Sequence, residues 1–235
     1  MLEQLKVEVC QANLDLVGHG LVTLTWGNAS GISNDRERVV IKPSGVSYDD
    51  MKPEHMVVVD LDGNVVEGDL RPSSDTPSHV LLYRNFEKIG GITHTHSSHA
   101  SMFAQARVGI KCFGTTHADH FFGPVPITRP LTRQEVEIAY EANTGQVIVE
   151  RFAEMDPLEM PAVLVAGHGP FAWGKNASDS VKNAVALEAV AEMAIGTMSI
   201  RRDAPALESY VLQKHYQRKH GADAYYGQET NGDSS

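Results

Sequence analysis

Two histidines stand two residues apart, His94-Thr95-His96, closing an apolar run, Ile89-Gly90-Gly91-Ile92-Thr93. Side chains two apart on an extended strand project to the same side, so the pair presents two imidazoles together. Two further segments carry partners for them. Pro72-Ser73-Ser74-Asp75-Thr76-Pro77 offers a carboxylate, and Ala162-Val163-Leu164-Val165-Ala166-Gly167-His168-Gly169 ends an apolar run on a third histidine. Asp75, His94, His96 and His168 supply three nitrogens and one oxygen, a donor set for a divalent transition ion. A catalytic ion of that kind keeps three protein ligands and one open position, and an aspartate on a loop can move away when substrate binds. His168, between two glycines at a strand end, is poorly placed to be a packed core histidine. His99 reads as a surface residue or a neighbour of the site, and His117 and His120 are held in reserve.

Three segments are candidates for holding an anion. Lys42-Pro43-Ser44-Gly45 follows a strand and offers an ammonium, a hydroxyl and free backbone N–H groups. Gly27-Asn28-Ala29-Ser30-Gly31 reads as a small-residue loop, and Ser73-Ser74 precedes a helix start. Each alone is ordinary turn chemistry; three of them beside a metal site suggest a phosphorylated ligand. Gly169-Pro170-Phe171-Ala172-Trp173-Gly174-Lys175-Asn176 nearly fits a nucleotide-binding phosphate loop. Its last residue lacks the hydroxyl that would bind magnesium, and Pro170 removes a donor, so it reads as a turn and strand that fix His168. No dinucleotide-binding glycine fingerprint is present. Asp119, in Thr115-Thr116-His117-Ala118-Asp119, is either an acid/base or a helix cap. Tyr225-Tyr226 follow Arg218-Lys219-His220-Gly221, and cations or a metal nearby would lower a tyrosine pKa enough for proton transfer.

The elements that must place these groups are legible as a mixed order of strands and helices. Leu5, Val9, Ala12 and Leu16 recur at helical spacing over residues 2–17. Strands are expected at 39–41, 56–60, 92–95, 162–166 and 171–173. Thr76-Pro77 has the form of a cap and first residue for a helix over 78–86, and a second helix is expected over 99–106. Thr132-Arg133-Gln134-Glu135 is a capping box opening a helix to about Asn143. The longest helix starts after Asn176 and runs to about Ile200, with a broad apolar face suited to a sheet or a subunit interface, and a last helix covers 207–219. From Gln228 the chain is polar and expected to be disordered, leaving one domain over 1–228 and a tail over 229–235.

Composition narrows the function classes. With 235 residues, 42% hydrophobic and 21% charged, the chain can bury one large α/β core. A net charge of −10 without a basic run argues against nucleic acid and anionic membrane surfaces as partners. No apolar run approaches the roughly 20 residues of a membrane span. Cys10 and Cys112, with no signal-like start, fit a reducing cytoplasm.

Taken together, Thr25-Trp26-Gly27-Asn28, Ile41-Lys42-Pro43-Ser44-Gly45-Val46, Pro72–Pro77, His94-Thr95-His96, Gly114–Asp119, His168–Lys175 and Lys214-His215-Tyr216 through Gln228 resemble the class II aldolase/epimerase family over nearly the whole chain. The resemblance implies a single-domain, three-layer α/β/α fold with a mainly antiparallel sheet. It implies one zinc, or manganese or cobalt in its place, on His94, His96 and His168 with Asp75 nearby or bound. Substrate phosphate would be held by Asn28, Lys42, Ser44, Gly45, Ser73 and Ser74, with Thr115 and Arg218 also meeting substrate. It further implies a homotetramer with sites between subunits, Tyr226 and Arg218 coming from a neighbouring chain. The activity it implies is inversion of carbon 4 of L-ribulose 5-phosphate by cleavage and re-formation of the bond between carbons 3 and 4, with Asp119 and Tyr226 exchanging protons on the two aldehyde faces. Family members that release their fragments, acting on fuculose or rhamnulose phosphates, resemble this chain less at position 75, where they look like Glu. A metal store or sensor without catalysis is the rival from another class; it leaves the anion loops without a purpose.

Overall fold

The computed structural model describes residues 2–221, 224 and 225; Tyr226 and the 229–235 tail lie outside them. Seven strands form one sheet: β1 Asn28–Ile32, β2 Arg38–Ile41, β3 Val57–Asp60, β4 Val65–Glu67, β5 Gly91–His94, β6 Ala162–Leu164 and β7 Pro170–Gly174. Their order is β4-β3-β2-β1-β5-β7-β6, and every neighbouring pair runs antiparallel. The helices are α1 Leu2–Gly18, α2 Thr76–Asn85, α3 Ser98–Ala106, α4 Thr115–Ala118, α5 Arg133–Arg151, α6 Ala177–Ile200 and α7 Ser209–His220.

Alternation along the central strands sorts these helices into layers. Gly31 faces α1 and α6: a Cβ there would lie 2.9 Å from Leu5 Cδ1, 3.0 Å from Val9 Cγ2 and 3.8 Å from Ala177 Cβ. Its neighbour Ser30 faces α2, bonding His79 Nδ1 at 2.7 Å and Tyr83 at 2.9 Å. Register carries this division across the sheet. Asn28 pairs with His94 and His94 with Phe171, so all three lie on the α2 side; Ser30, Ile92 and Trp173 form the next row. Thr93, on the other side, meets Ser180 of α6 at 2.7 Å. Trp173 anchors the α2–α5 layer. Its ring packs 5.2 Å from Phe86 and 5.0 Å from Phe152, and its Nε1–H donates to Pro157 O at 2.7 Å. Such ring pairs each add about 1 kcal/mol beyond the area they bury.

Four sequence expectations change. Residues 27–31 read as a loop in the sequence, yet Asn28–Ile32 is a fully buried central strand. Its residues are small because α1 closes directly on it. The cap of α2 is Asp75, with Pro77 in the first turn; the Asp75 carboxylate makes no capping bond, and the Thr76 hydroxyl donates to Ser73 O at 2.6 Å. β5 ends at His94, so His96 lies past the strand. Finally, α6 is long and apolar enough by composition to cross a membrane. Asp179, Lys182, Glu188 and Glu192 interrupt it, and Val181, Ala184, Leu187, Val190 and Ala191 are buried, which makes it a core helix.

Two buried histidines outside the triad set an acid limit on this core. Burial pushes His79 down to about 3, against the attraction of Asp75, and His117 down to about 4 although it bonds Gly123 O at 2.8 Å. Between pH 4 and 6.5 the unfolded chain binds protons at these positions and the folded chain does not. Stability present above pH 6.5 is therefore lost as pH falls toward 4, by about 3 kcal/mol for His117 alone. Thermal unfolding of His117→Gln across that range should show a shallower pH slope than the parent; an unchanged slope would exclude His117 as a source.

Candidate metal centre and anion cavity

His94 is placed by the sheet, His96 by the turn leaving β5, and His168 by the turn between β6 and β7. Their ring centroids form a near-equilateral triangle of 4.9, 4.8 and 5.1 Å. One ligand nitrogen from each lies within 4.8 Å of the others. The His94 ring stacks on Phe171 at 4.2 Å and its Nδ1 lies 2.9 Å from Pro170 O. A carbonyl only accepts, so Nδ1 carries the proton and Nε2 is a free lone pair. That Nε2 lies 3.1 Å from His96 Nε2, a separation that calls for a shared proton or cation between them. Burial, with His94 beside it, holds His96 below its usual pKa. Burial and the other two histidines bring His168 down to about 3. Neutral imidazoles are what a metal requires, so the donor set fits a divalent ion.

Asp75 is not part of the three-histidine group; it lies beside it in the same cavity. Burial opposes its ionisation, but His94, His79 and the Asn28 amide outweigh that and hold the carboxyl below its usual value. Asn28 Nδ2 donates to Asp75 Oδ2 at 2.7 Å and to Ser73 Oγ at 3.1 Å.

The candidate anion loops converge on this point. Ser73 N–H donates to Lys42 O at 2.9 Å and Ser44 N–H to Arg71 O at 2.9 Å, which ties the 42–45 and 71–75 segments together. Gly27 holds a positive φ of 77°, and a Cβ there would sit 3.0 Å from His94 O, so only glycine lets the 25–28 segment cross the end of β5. Lys42 is buried. Its Nζ meets Pro43 O at 3.3 Å and Val46 O at 3.2 Å, and lies 4.8 Å from the centre of the Tyr48 ring. Burial lowers its pKa. No carboxylate pairs with it among the described residues. Such a cation favours an anion as its partner.

One cavity of about 630 Å³ is lined by Asn28, Lys42, Ser44, Gly45, Ser73 and Ser74, by Asp75, His96 and His168, and by groups the sequence did not single out. Those are Tyr140 and Glu141; Thr25 and Trp26, from the motif that precedes Asn28, line it as well. Tyr140 and Glu141 enter because α5 breaks at Ala139, whose φ/ψ of −162°/76° is extended. Asn143 Nδ2 bonds Glu135 O at 2.8 Å across the break, and Ser78 Oγ donates to Glu141 O. The Tyr140 hydroxyl lies 3.4 Å from His168 Nδ1.

Asp119, Thr115 and Arg218 do not line this cavity. Asp119 follows α4 and accepts from Arg218 at 2.7 and 3.1 Å and from His215 at 3.1 Å, with Lys219 at 3.7 Å. Burial opposes its ionisation, but Arg218 and His215 prevail and hold it low. Thr115 is exposed at the start of α4.

An antiparallel sheet flanked by helices carries, at one end, three histidines that could hold a metal ion, beside a polar cavity. Residues 7–195 match the family described as the Class II Aldolase and Adducin N-terminal domain, and the chain belongs to that family. Solved structures share the fold. An L-fuculose 1-phosphate aldolase is 24% identical, with a TM-score of 0.77 over 92% of this chain and 95% of that one. The L-fuculose 1-phosphate aldolase of Glaciozyma antarctica is 12% identical, with a TM-score of 0.75 over 92% and 81%. The L-fuculose-1-phosphate aldolase of Thermus thermophilus is 23% identical, with a TM-score of 0.66 over 87% and 99%.

Proposed function

We propose that the chain is an L-ribulose-5-phosphate 4-epimerase, a cytoplasmic enzyme interconverting L-ribulose 5-phosphate and D-xylulose 5-phosphate. The observation that supports it is one cavity that joins His96 and His168 of the histidine cluster to two serine loops and to a buried lysine with no carboxylate partner among the described residues. The hydrogen on carbon 4 is not acidic, so inversion there requires the bond between carbons 3 and 4 to break and re-form. The 4-hydroxyl gives up its proton, carbon 4 becomes an aldehyde, and the bonding pair stays with carbons 1–3 as an enediolate. Zinc, or manganese or cobalt in its place, held by His94, His96 and His168 with Asp75 nearby or bound, would supply Lewis acidity toward the ketose oxygens. Lys42, Asn28, Ser44, Gly45, Ser73 and Ser74 hold the 5-phosphate while the aldehyde turns over. Asp75 and Glu141 are the two carboxylates that this chain brings to the cavity among its described residues. Asp119 and Tyr226 would exchange protons on the two faces of the aldehyde, meeting substrate together with Arg218 and Thr115 at a junction with a neighbouring copy. That arrangement requires sites between subunits, as in a homotetramer.

Lys42→Met should raise KM for the sugar phosphate about 100-fold, the loss of one charge-assisted phosphate contact. Thermal stability should hold or rise, because an unpaired buried charge is removed. Unchanged KM would exclude Lys42 from phosphate binding.

A second reading, a sugar-phosphate aldolase, draws on the absence of Asp119 from its own chain's cavity: one set of carboxylates serves one face, which is enough for cleavage with fixed stereochemistry. Supplying dihydroxyacetone and glycolaldehyde phosphate together separates the two. An epimerase condenses them to both pentulose 5-phosphates, an aldolase of fixed stereochemistry to one. Condensation of dihydroxyacetone phosphate instead would point to a substrate phosphorylated on carbon 1, and no condensation with either donor would contradict both readings.

A further inference from the structure

The helix α3 joins two of the three histidines. Its cap, Ser97, directly follows His96, and at its far end Ala104 O accepts the Gly167 N–H at 2.8 Å, one residue before His168. A shift of α3 therefore moves both ligands. The Ser97 side chain makes no capping bond to α3. The cap is supplied from another element. Glu188, one-sixth exposed in the middle of α6, accepts the His99 N–H at 2.8 Å on Oε1 and the Ala100 N–H at 3.0 Å on Oε2. These are the second and third helical N–H groups, the donors a capping side chain takes. The His99 ring adds Nδ1 at 2.8 Å from Oε1. Burial works against a charge on Glu188, and the His99, Ala100 and Ser97 bonds more than offset it. Nothing in the cleavage chemistry uses this carboxylate. α6 is held to the sheet independently, by the hydroxyl–hydroxyl bond between its Ser180 and Thr93 on the strand that carries His94.

We infer that Glu188 is a positioning residue of the metal centre: it clamps the start of α3 to α6 and so fixes the spacing of His96 and His168 around the ion. The inference rests on the metal reading of the triad. Groups that orient ligands from outside the coordination sphere are worth about 10–100-fold in metal affinity, and that is the scale expected here.

The test measures release of Co2+ from the full-length protein to excess chelator, followed by the visible absorption of the bound ion. The variants are Glu188→Gln, which keeps the shape but turns one acceptor into a donor facing an N–H, and Thr132→Ala, which removes the cap of α5 away from the cavity. Release should be about 10–100-fold faster in Glu188→Gln and unchanged in Thr132→Ala. Equal release from Glu188→Gln and the parent, or equal acceleration in both variants, would overturn the inference, since any lost cap would then act alike. Should Glu188→Gln not fold, Glu188→Asp retains charge but shortens the reach, and release at the parent rate would likewise overturn it. A parent protein that takes up no Co2+ would overturn the metal reading itself, an outcome distinct from binding that is indifferent to Glu188.

Discussion

His168→Ala should lose the divalent ion and about 10³–10⁴ of turnover, while the metal-free variant unfolds within a few degrees of the metal-free parent. The catalytic loss corresponds to roughly 4–5 kcal/mol, the scale of Lewis-acid stabilisation of charge developing on substrate oxygens. The small structural cost follows from where His168 sits. It sits on a partly buried turn between Gly167 and Gly169, and among the described residues its ring nitrogen bonds the Tyr140 hydroxyl alone, at 3.4 Å. His94→Ala should lose the ion equally but also destabilise the protein. That ring is buried against Phe171 and bonded to Pro170 O, and its removal leaves a hole in the α2 face of the sheet. Metal content by elemental analysis and thermal unfolding of the metal-free proteins, measured side by side, check both. Retention of a stoichiometric ion by His168→Ala would remove that residue from the ligand set.

The second large effect is on the backbone that delivers His94. Gly91→Ala should destabilise by about 4 kcal/mol or more and yield little folded protein. A Cβ at Gly91 would stand 2.3 Å from both Asn176 C and O and 2.4 Å from Ala177 N, all main-chain atoms at the start of α6. Main chain cannot turn aside as a side chain can, so either β5 or α6 must move. Gly114→Ala is the matched control: nothing lies within 4 Å of its new carbon and its φ is −149°, so a change within about 0.5 kcal/mol is expected. Soluble yield and denaturant midpoints decide the matter. A Gly91→Ala protein as stable as Gly114→Ala would mean that β5 and α6 do not pack as closely as they stand here.

These effects show which parts of the molecule can be read from residue order. The histidine cluster was legible because His-x-His and a terminal Gly-His-Gly follow from local chemistry, while the aspartate before Thr-Pro lies beside the cluster in the cavity rather than in it. The helix faces of α1 and α6 were legible for the same reason. β1 was not, because Asn-Ala-Ser-Gly has the composition of a turn, and its burial comes from α1 lying against Gly31, a contact distant in sequence. Tyr140 and Glu141 were missed because the capping box at Thr132 announces a continuous helix, whereas packing against α2 breaks it at Ala139. α6 has the length and composition of a membrane span because alanines keep its hydropathy high, yet the sheet covers one face, as its broad apolar stripe suggested. Asp119 was weighed as either an acid/base or a cap. In the structure it follows α4 and pairs with Arg218, away from the cavity.

The proposed epimerase breaks and remakes a carbon–carbon bond in a ketopentose phosphate beside the histidine cluster. Carbon NMR of L-ribulose 5-phosphate incubated with the zinc-loaded protein, the chelated protein and the zinc-restored protein tests it most directly. The expected result is D-xylulose 5-phosphate that forms with zinc, stops forming after chelation and returns with zinc. An unchanged L-ribulose 5-phosphate spectrum from protein shown to hold its metal would contradict the account.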